Sequence, residues 1–126
     1  IEDITMSVAG KYGMMMPGES STKAVRAVFF IDPKGIIRTI IYYPLSLGRN
    51  FQELYRVVVG LQTADAFSVA LPADWQPGDD VIVPTAGSCG VAKQRMESKE
   101  EMTCYDWFFC TKKLDKQKVL DTILKK

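Results

Sequence analysis

Three cysteines are the residues of this sequence with the most evident chemical capacity. Cys104 and Cys110 lie late in the chain with Tyr105–Phe109 between them, and Cys89 precedes both. A cysteine thiolate is a nucleophile and can form a disulfide, so these residues suggest thiol redox chemistry. The alternative is that they are small buried hydrophobic residues, which is the common role of free cysteine in intracellular proteins. The spacing by itself leaves both alternatives open.

Geometry limits how Cys104 and Cys110 could pair. In a regular strand their Cα atoms would be about 20 Å apart, too far for a disulfide. A loop or bend between them would therefore be required. Cys89 lies in a glycine-containing segment, Thr85–Gly90, that is typical of an exposed loop. We expect a passive thiol there and assign it no role.

Two arginines stand in positions where a fixed positive charge could bind a ligand. Arg26 lies in the apolar run Val25–Ile31, where its guanidinium must find a partner or a polar cavity. A strand-end arginine that reaches solvent is an equal alternative. Arg49 follows Gly48 in a predicted strand-to-helix loop, where open α/β sheets place ligand sites. From its position alone, a solvated loop arginine is the favoured interpretation there.

Composition excludes several classes of function. The chain has no histidine, which argues against serine-histidine hydrolases and most zinc enzymes, and we predict neither a metal nor a cofactor. A net charge of +1 argues against a nucleic-acid partner. No apolar run approaches the ~20 residues of a membrane span, and no secretory signal is visible. The chain has too few cysteines for the disulfide framework of a small secreted domain, which indicates a cytoplasmic protein. Its true N-terminus need not be Ile1.

The elements that would position these side chains can be predicted from turn residues and apolar spacing. Val25–Ile31 and Ile36–Tyr43 are two strand-like runs joined by an Asp-Pro-Lys-Gly turn, which indicates a β-hairpin. Their continuous apolar character predicts burial on both faces of a sheet. Asn50 can cap a helix. The helix's apolar positions recur at helical spacing: Phe51, Leu54, Tyr55, Val58 and Leu61.

The second half of the chain is predicted to form a smaller arm. The proline- and glycine-containing segment Leu71–Asp80 ends the helix, and Trp75 within it is an aromatic anchor. Beyond it we predict four pieces: a strand at Val81–Val83, a charged helix or loop at Val91–Met102, a strand at Tyr105–Phe109 and a helix at Lys116–Leu124. The predicted class is α/β, with a division between residues 1–66 and 67–126.

Several segments, taken in order, resemble the later part of the one-cysteine peroxiredoxins. They are Ala24–Arg38, Tyr42–Pro44, Gly48–Asn50, Leu61–Gln62 and Pro72–Trp75. The resemblance runs through nearly the whole chain. It implies the C-terminal part of a thioredoxin-like fold over residues 1–66 and a small α+β arm domain over residues 67–126.

The resemblance also implies an activity, the reduction of hydrogen peroxide and organic hydroperoxides by a cysteine thiolate that becomes a sulfenic acid. The family's Pro-Xaa-Xaa-Xaa-Thr-Xaa-Xaa-Cys motif does not occur in these residues, so its peroxidatic cysteine is expected upstream of Ile1. The chain alone would then be inactive. The alternative is a non-catalytic dimerisation or interaction module derived from a peroxiredoxin.

By position, Arg26 matches the family arginine that contacts the thiolate and the peroxide, and Arg49 matches a second arginine of that pocket. Cys104 and Cys110 resemble a pair found near the arm's end in archaeal and some bacterial members, one of which would resolve the sulfenic acid. The implied partners are a thiol reductant such as thioredoxin and a second subunit. A homodimer or a ring of dimers is expected, paired through the strand Ile36–Tyr43.

Overall fold

The computed structural model describes residues 2–88, 90–91, 93 and 102–124. Its helices and strands are α1 (Ser7–Lys11), β1 (Arg26–Ile31), β2 (Ile37–Tyr43), α2 (Phe51–Phe67), β3 (Asp80–Val83), β4 (Met102–Asp106), β5 (Phe109–Lys113) and α3 (Lys116–Leu124). They form two compact units, Ile1–Asn50 and Phe51–Lys126, each described below by itself. The division at residues 66 and 67 stays a prediction, and α2 is grouped with the elements that follow it. Within the described residues no helix is long and apolar enough to cross a membrane.

The first unit is built on the predicted hairpin, which the structure confirms. β1 and β2 pair antiparallel, with Arg26 opposite Tyr43 and Phe30 opposite Thr39. In the turn, the Asp32 carboxylate accepts the N–H groups of Lys34 and Ile36 at 2.9 and 3.0 Å. Gly35 has φ +80°, a conformation that a residue with a Cβ rarely adopts. The turn residues therefore set both the direction and the register of the strands.

The hairpin is less buried than its apolar sequence predicts. β1 is mostly half-buried, whereas Ile37 and Ile40 of β2 are 47% and 38% exposed. This sheet has only two strands in the described residues, so few side chains can cover it. Tyr12, which lies just after α1, covers part of the sheet. Its ring packs edge-on against Phe29, with ring centroids 5.1 Å apart.

The second unit has a core centred on Trp75. This side chain is 1% exposed, and its indole N–H donates to the carbonyl of Asp79 at 3.3 Å. The other buried members of the cluster come from α2, β3, α3 and the loops: Val59, Val69, Val81, Leu114, Val119 and Ile123. The predicted role of Trp75 as an anchor is thus seen within this unit, where it joins α2 to the arm.

Helix α2 buries a different face from the one that its spacing predicts. Phe51 and Tyr55 are 77% and 59% exposed, whereas Val59, Gly60 and Thr63 are buried. The helix has apolar residues on both sides, and the side that faces Trp75 and its neighbours is the one that is covered. A Cβ at Gly60 would lie 3.1 Å from Leu71 Cδ1, so glycine permits this close approach.

The second unit also contains a three-stranded sheet in the order β3-β5-β4. The predicted strand Val81–Val83 and helix Lys116–Leu124 are confirmed as β3 and α3. The predicted strand Tyr105–Phe109 is wrong, because the chain turns at Trp107 and Phe108 and forms a β4–β5 hairpin. Most of the predicted helix or loop at Val91–Met102 lies outside the described residues.

The two tryptophans offer a matched test of this core. Trp75→Ala should lower the free energy of unfolding by about 3–5 kcal/mol, because it leaves a large cavity in the cluster. Trp107, which is 69% exposed, is the control, and Trp107→Ala should change that value by less than about 0.5 kcal/mol. Urea unfolding followed by far-ultraviolet circular dichroism measures both, and equal losses would contradict the assigned core.

Candidate functional site

Arg26 is the first residue of β1 and is half-buried. Its Nη1–H donates to the carbonyl oxygen of Leu47 at 2.9 Å. The hairpin creates this contact, because Arg26 pairs with Tyr43 at the end of β2 and the chain then continues through Leu47. The guanidinium is therefore held by the protein on one side, and its other N–H groups remain suited to an anionic or oxygen ligand.

Arg49 lies where its sequence position predicts, in the segment between β2 and α2. We call this segment, Pro44–Asn50, the β2–α2 loop. Arg49 is exposed and comes two residues after the carbonyl that Arg26 binds. The loop begins with a turn in which Leu47 N–H donates to the carbonyl of Pro44 at 3.1 Å. Both arginines thus belong to the same compact unit, Arg49 within the β2–α2 loop and Arg26 hydrogen-bonded to it. Their predicted roles stay predictions.

Glu19, which no sequence pattern singles out, also contacts the β2–α2 loop. Its Oε2 accepts the N–H of Leu45 at 3.2 Å. The two residues are 26 positions apart, so no local spacing pattern indicates the contact. Glu19 lies in a Pro-Gly-Glu-Ser turn, whose residue types predict a loop and no specific contact.

Cys104 and Cys110 are joined by a disulfide across the β4–β5 hairpin. They are directly opposite one another in the strand pairing, with Cα atoms 4.0 Å apart. The bend that their spacing requires is therefore present. Cys104 is exposed, whereas Cys110 is 7% exposed. Cys104, on the edge strand β4, is the more exposed residue, while Cys110 belongs to the central strand β5.

Four aromatic residues lie between the two cysteines, at and beside the hairpin turn. Tyr105 and Phe109 stack with ring centroids 5.3 Å apart, and Trp107 and Phe108 meet edge-on at 5.5 Å. The turn is fixed by the Asp106 carboxylate, which accepts the N–H of Trp107 at 2.7 Å. Three of these rings are largely exposed: Tyr105, Trp107 and Phe108. The hairpin therefore presents a disulfide together with apolar surface.

A charged pair lies in the first turns of α2. The Arg56 guanidinium donates two hydrogen bonds to the Glu53 carboxylate, at 2.6 and 2.7 Å. These bonds hold the pKa of Glu53 below its ordinary value and raise that of Arg56. Among the described residues no group of three or more cysteine or acidic side chains could hold a metal ion. Cys89 lies outside the described residues.

The disulfide can be tested in the 126-residue chain. Trypsin should release residues 100–112 as one peptide that contains both cysteines, lighter by two hydrogens than its reduced form. Reduction should lower the free energy of unfolding by about 2 kcal/mol, because it frees a short closed loop in the unfolded chain. The double variant Cys104→Ser/Cys110→Ser is the control, and dithiothreitol should leave its urea midpoint unchanged. A disulfide mapped to Cys89 instead would contradict the assignment.

Comparison with known proteins connects this chain to one family. Residues 60–99 match the sequence model of the C-terminal domain of 1-Cys peroxiredoxin. A peroxiredoxin of Methanosarcina mazei is 58% identical over 94% of this chain and 54% of its own length. Peroxiredoxin 2 of Caldanaerobacter subterraneus is 52% identical over 90% of this chain and 52% of its own length. The chain therefore spans about half the length of the curated relatives it matches.

Solved structures give the same result. A yeast mitochondrial 1-Cys peroxiredoxin, whose structure was reported for its thiol resolving mechanism, matches with a TM-score of 0.71 and 36% identity over 86% of this chain and 53% of its own. Peroxiredoxin 6 of Arenicola marina matches with a TM-score of 0.72 and 36% identity over 86% and 52%. These neighbours confirm the predicted α/β class, the C-terminal part of a thioredoxin-like fold with a small arm. On these grounds the chain belongs to the peroxiredoxin family, and it corresponds to the C-terminal portion of the family's one-cysteine members.

Proposed function

We propose that the complete protein that contains this chain is a thiol peroxidase, which reduces hydrogen peroxide and organic hydroperoxides. Its peroxidatic cysteine would be supplied by a segment outside these residues. The observation that carries the proposal is the anchored guanidinium of Arg26, found in a chain that is 58% identical to a peroxiredoxin. A fixed cation of this kind is what a thiolate nucleophile and a peroxide require.

Arg26 has two tasks in this chemistry. Beside a cysteine it favours the thiolate over the thiol, which lowers the thiol pKa. During the reaction, the thiolate sulfur bonds to one peroxide oxygen, the O–O bond breaks, and the second oxygen leaves with the electron pair. The guanidinium stabilises the charge on that oxygen until a proton arrives and water or an alcohol forms. Arg49, in the loop to which Arg26 is bonded, would add a second positive charge to the pocket.

Cys104 and Cys110 would then resolve the sulfenic acid. One of these thiols attacks the sulfenic sulfur, water is released, and a mixed disulfide forms. The other thiol displaces the peroxidatic thiolate, and the products are the Cys104–Cys110 disulfide and a regenerated catalytic thiol. The observed bond between two directly opposed residues is consistent with this end state. An external dithiol such as thioredoxin would return the pair to thiols.

Assembly is the second part of the proposal. In the described residues β2 pairs with β1 on one side only, which leaves an open strand edge. Open edges in native proteins are commonly covered or paired, and a second copy of the chain can pair here with two-fold symmetry. We therefore propose a homodimer, or a ring of dimers, that joins through β2 and works in the cytoplasm, where the reductant keeps the cysteine pair in turnover.

The activity is tested by charge removal at Arg26 in the complete protein. Arg26→Ala should lower the second-order rate constant for hydrogen peroxide by about 100-fold, because it removes an oxyanion donor. It should also raise the thiol pKa, so the pH profile of the rate shifts to higher pH. Stopped-flow kinetics with dithiothreitol as the reductant measures both effects.

Two variants serve as controls for this experiment. Arg26→Lys keeps the charge but not the planar fork of donors, and should lie between the parent and the alanine variant. Lys34→Ala removes an exposed cation of the hairpin turn that lies outside β1 and β2, and should leave the rate unchanged. Parent-like turnover in Arg26→Ala would contradict the assigned role. If the complete protein shows no turnover, the non-catalytic interaction module becomes the better description.

A further inference from the structure

The β2–α2 loop contains Arg49 and has neither helix nor strand between Pro44 and Asn50. Two side chains from outside the loop hold its backbone. Arg26 donates to the carbonyl of Leu47, and Glu19 accepts the N–H of Leu45. One cation and one anion thus hold the same short peptide stretch at points two residues apart. A loop without its own ladder of hydrogen bonds depends on such contacts for a defined position.

Glu19 can act as a fixed point because its own segment is fixed. Its backbone N–H and that of Ser20 both donate to the carbonyl of Met16, at 2.9 and 3.0 Å. Further along, Val25 N–H donates to the carbonyl of Met14 at 2.9 Å. Val25 immediately precedes Arg26, so the Glu19 segment is tied to the start of the strand that carries the arginine.

We propose that Glu19 is a positioning residue for the two arginines. It holds the Leu45 end of the β2–α2 loop, so that the Leu47 carbonyl remains in place to orient Arg26 and the loop presents Arg49 in one position. This inference rests on the proposed peroxidase function, and it assigns Glu19 no direct contact with the thiol or the peroxide. Its effect passes through the loop.

The geometry also specifies which property of Glu19 matters. In the described part of the chain, its carboxylate contacts a backbone N–H rather than either guanidinium. A backbone donor requires an acceptor oxygen and not a negative charge. Glutamine carries such an oxygen at the same position, so it should replace glutamate, whereas alanine should not.

The test compares Glu19→Ala, Glu19→Gln and Glu2→Ala in the complete protein. Glu19→Ala should lower the rate constant for hydrogen peroxide about three- to tenfold, because a loss of this size corresponds to the net free energy of one hydrogen bond. Glu19→Gln should remain within about twofold of the parent. Glu2 is an exposed glutamate outside this network, and Glu2→Ala should behave as the parent. In parallel, hydrogen exchange at the Leu45 amide should quicken in Glu19→Ala only.

The possible outcomes distinguish a failure of the role of Glu19 from a failure of the proposed function. Parent-like kinetics in Glu19→Ala, with Arg26→Ala inactive, would overturn the role of Glu19 and leave the peroxidase assignment intact. An equal loss in Glu19→Gln and Glu19→Ala would show that charge is what matters and would also overturn it. Full activity in Arg26→Ala would contradict the arginine site itself. Glu19 is exposed, so its replacement removes no core packing, and urea midpoints that match the parent verify this.

Discussion

The guanidinium of Arg26 must have a hydrogen-bond acceptor, because it is permanently charged and half-buried at the start of an apolar strand. The carbonyl of Leu47 provides one at 2.9 Å. This bond fixes the direction of the side chain and the path of the chain that leaves β2. The first unit can be understood from this requirement: the hairpin returns the chain to the side of Arg26, and the loop that follows supplies the acceptor.

The parts of the fold that the sequence predicts are those held by contacts between near neighbours. The hairpin turn depends on Asp32, Pro33 and Gly35, which lie within four residues of one another. These residue types are sufficient to predict the turn. Helix α3 begins where the Asp115 carboxylate accepts the N–H of Lys118 at 2.9 Å. Glu19 illustrates the opposite case. Its partner is distant in the chain, and a carboxylate in a loop carries no local sign of that contact.

Two elements show how tertiary contacts override local patterns. Helix α2 has apolar residues on two sides, and spacing alone cannot choose the side that packs on Trp75. The close approach of Gly60 to Leu71 distinguishes the buried side, and it becomes visible only in three dimensions. Between Cys104 and Cys110, aromatic residues favour a strand. Strand propensity reflects how well a side chain fits a pleated surface, however, and does not determine where the strand ends. The pairing of β4 with β5, which places Cys104 directly opposite Cys110, requires the chain to turn instead.

The position of the disulfide in its sheet makes the two cysteines unequal. β5 is the central strand and pairs with β3 through four successive residue pairs, from Asp80–Lys113 to Val83–Cys110. β3 in turn contributes Val81 to the core. Cys110 is therefore expected to stay in the sheet when the disulfide opens. Cys104 lies on the edge strand, so opening the bond removes a constraint mainly from β4. Opening of this bond is therefore expected to leave the Trp75 core folded, as the proposed reversible thiol cycle requires.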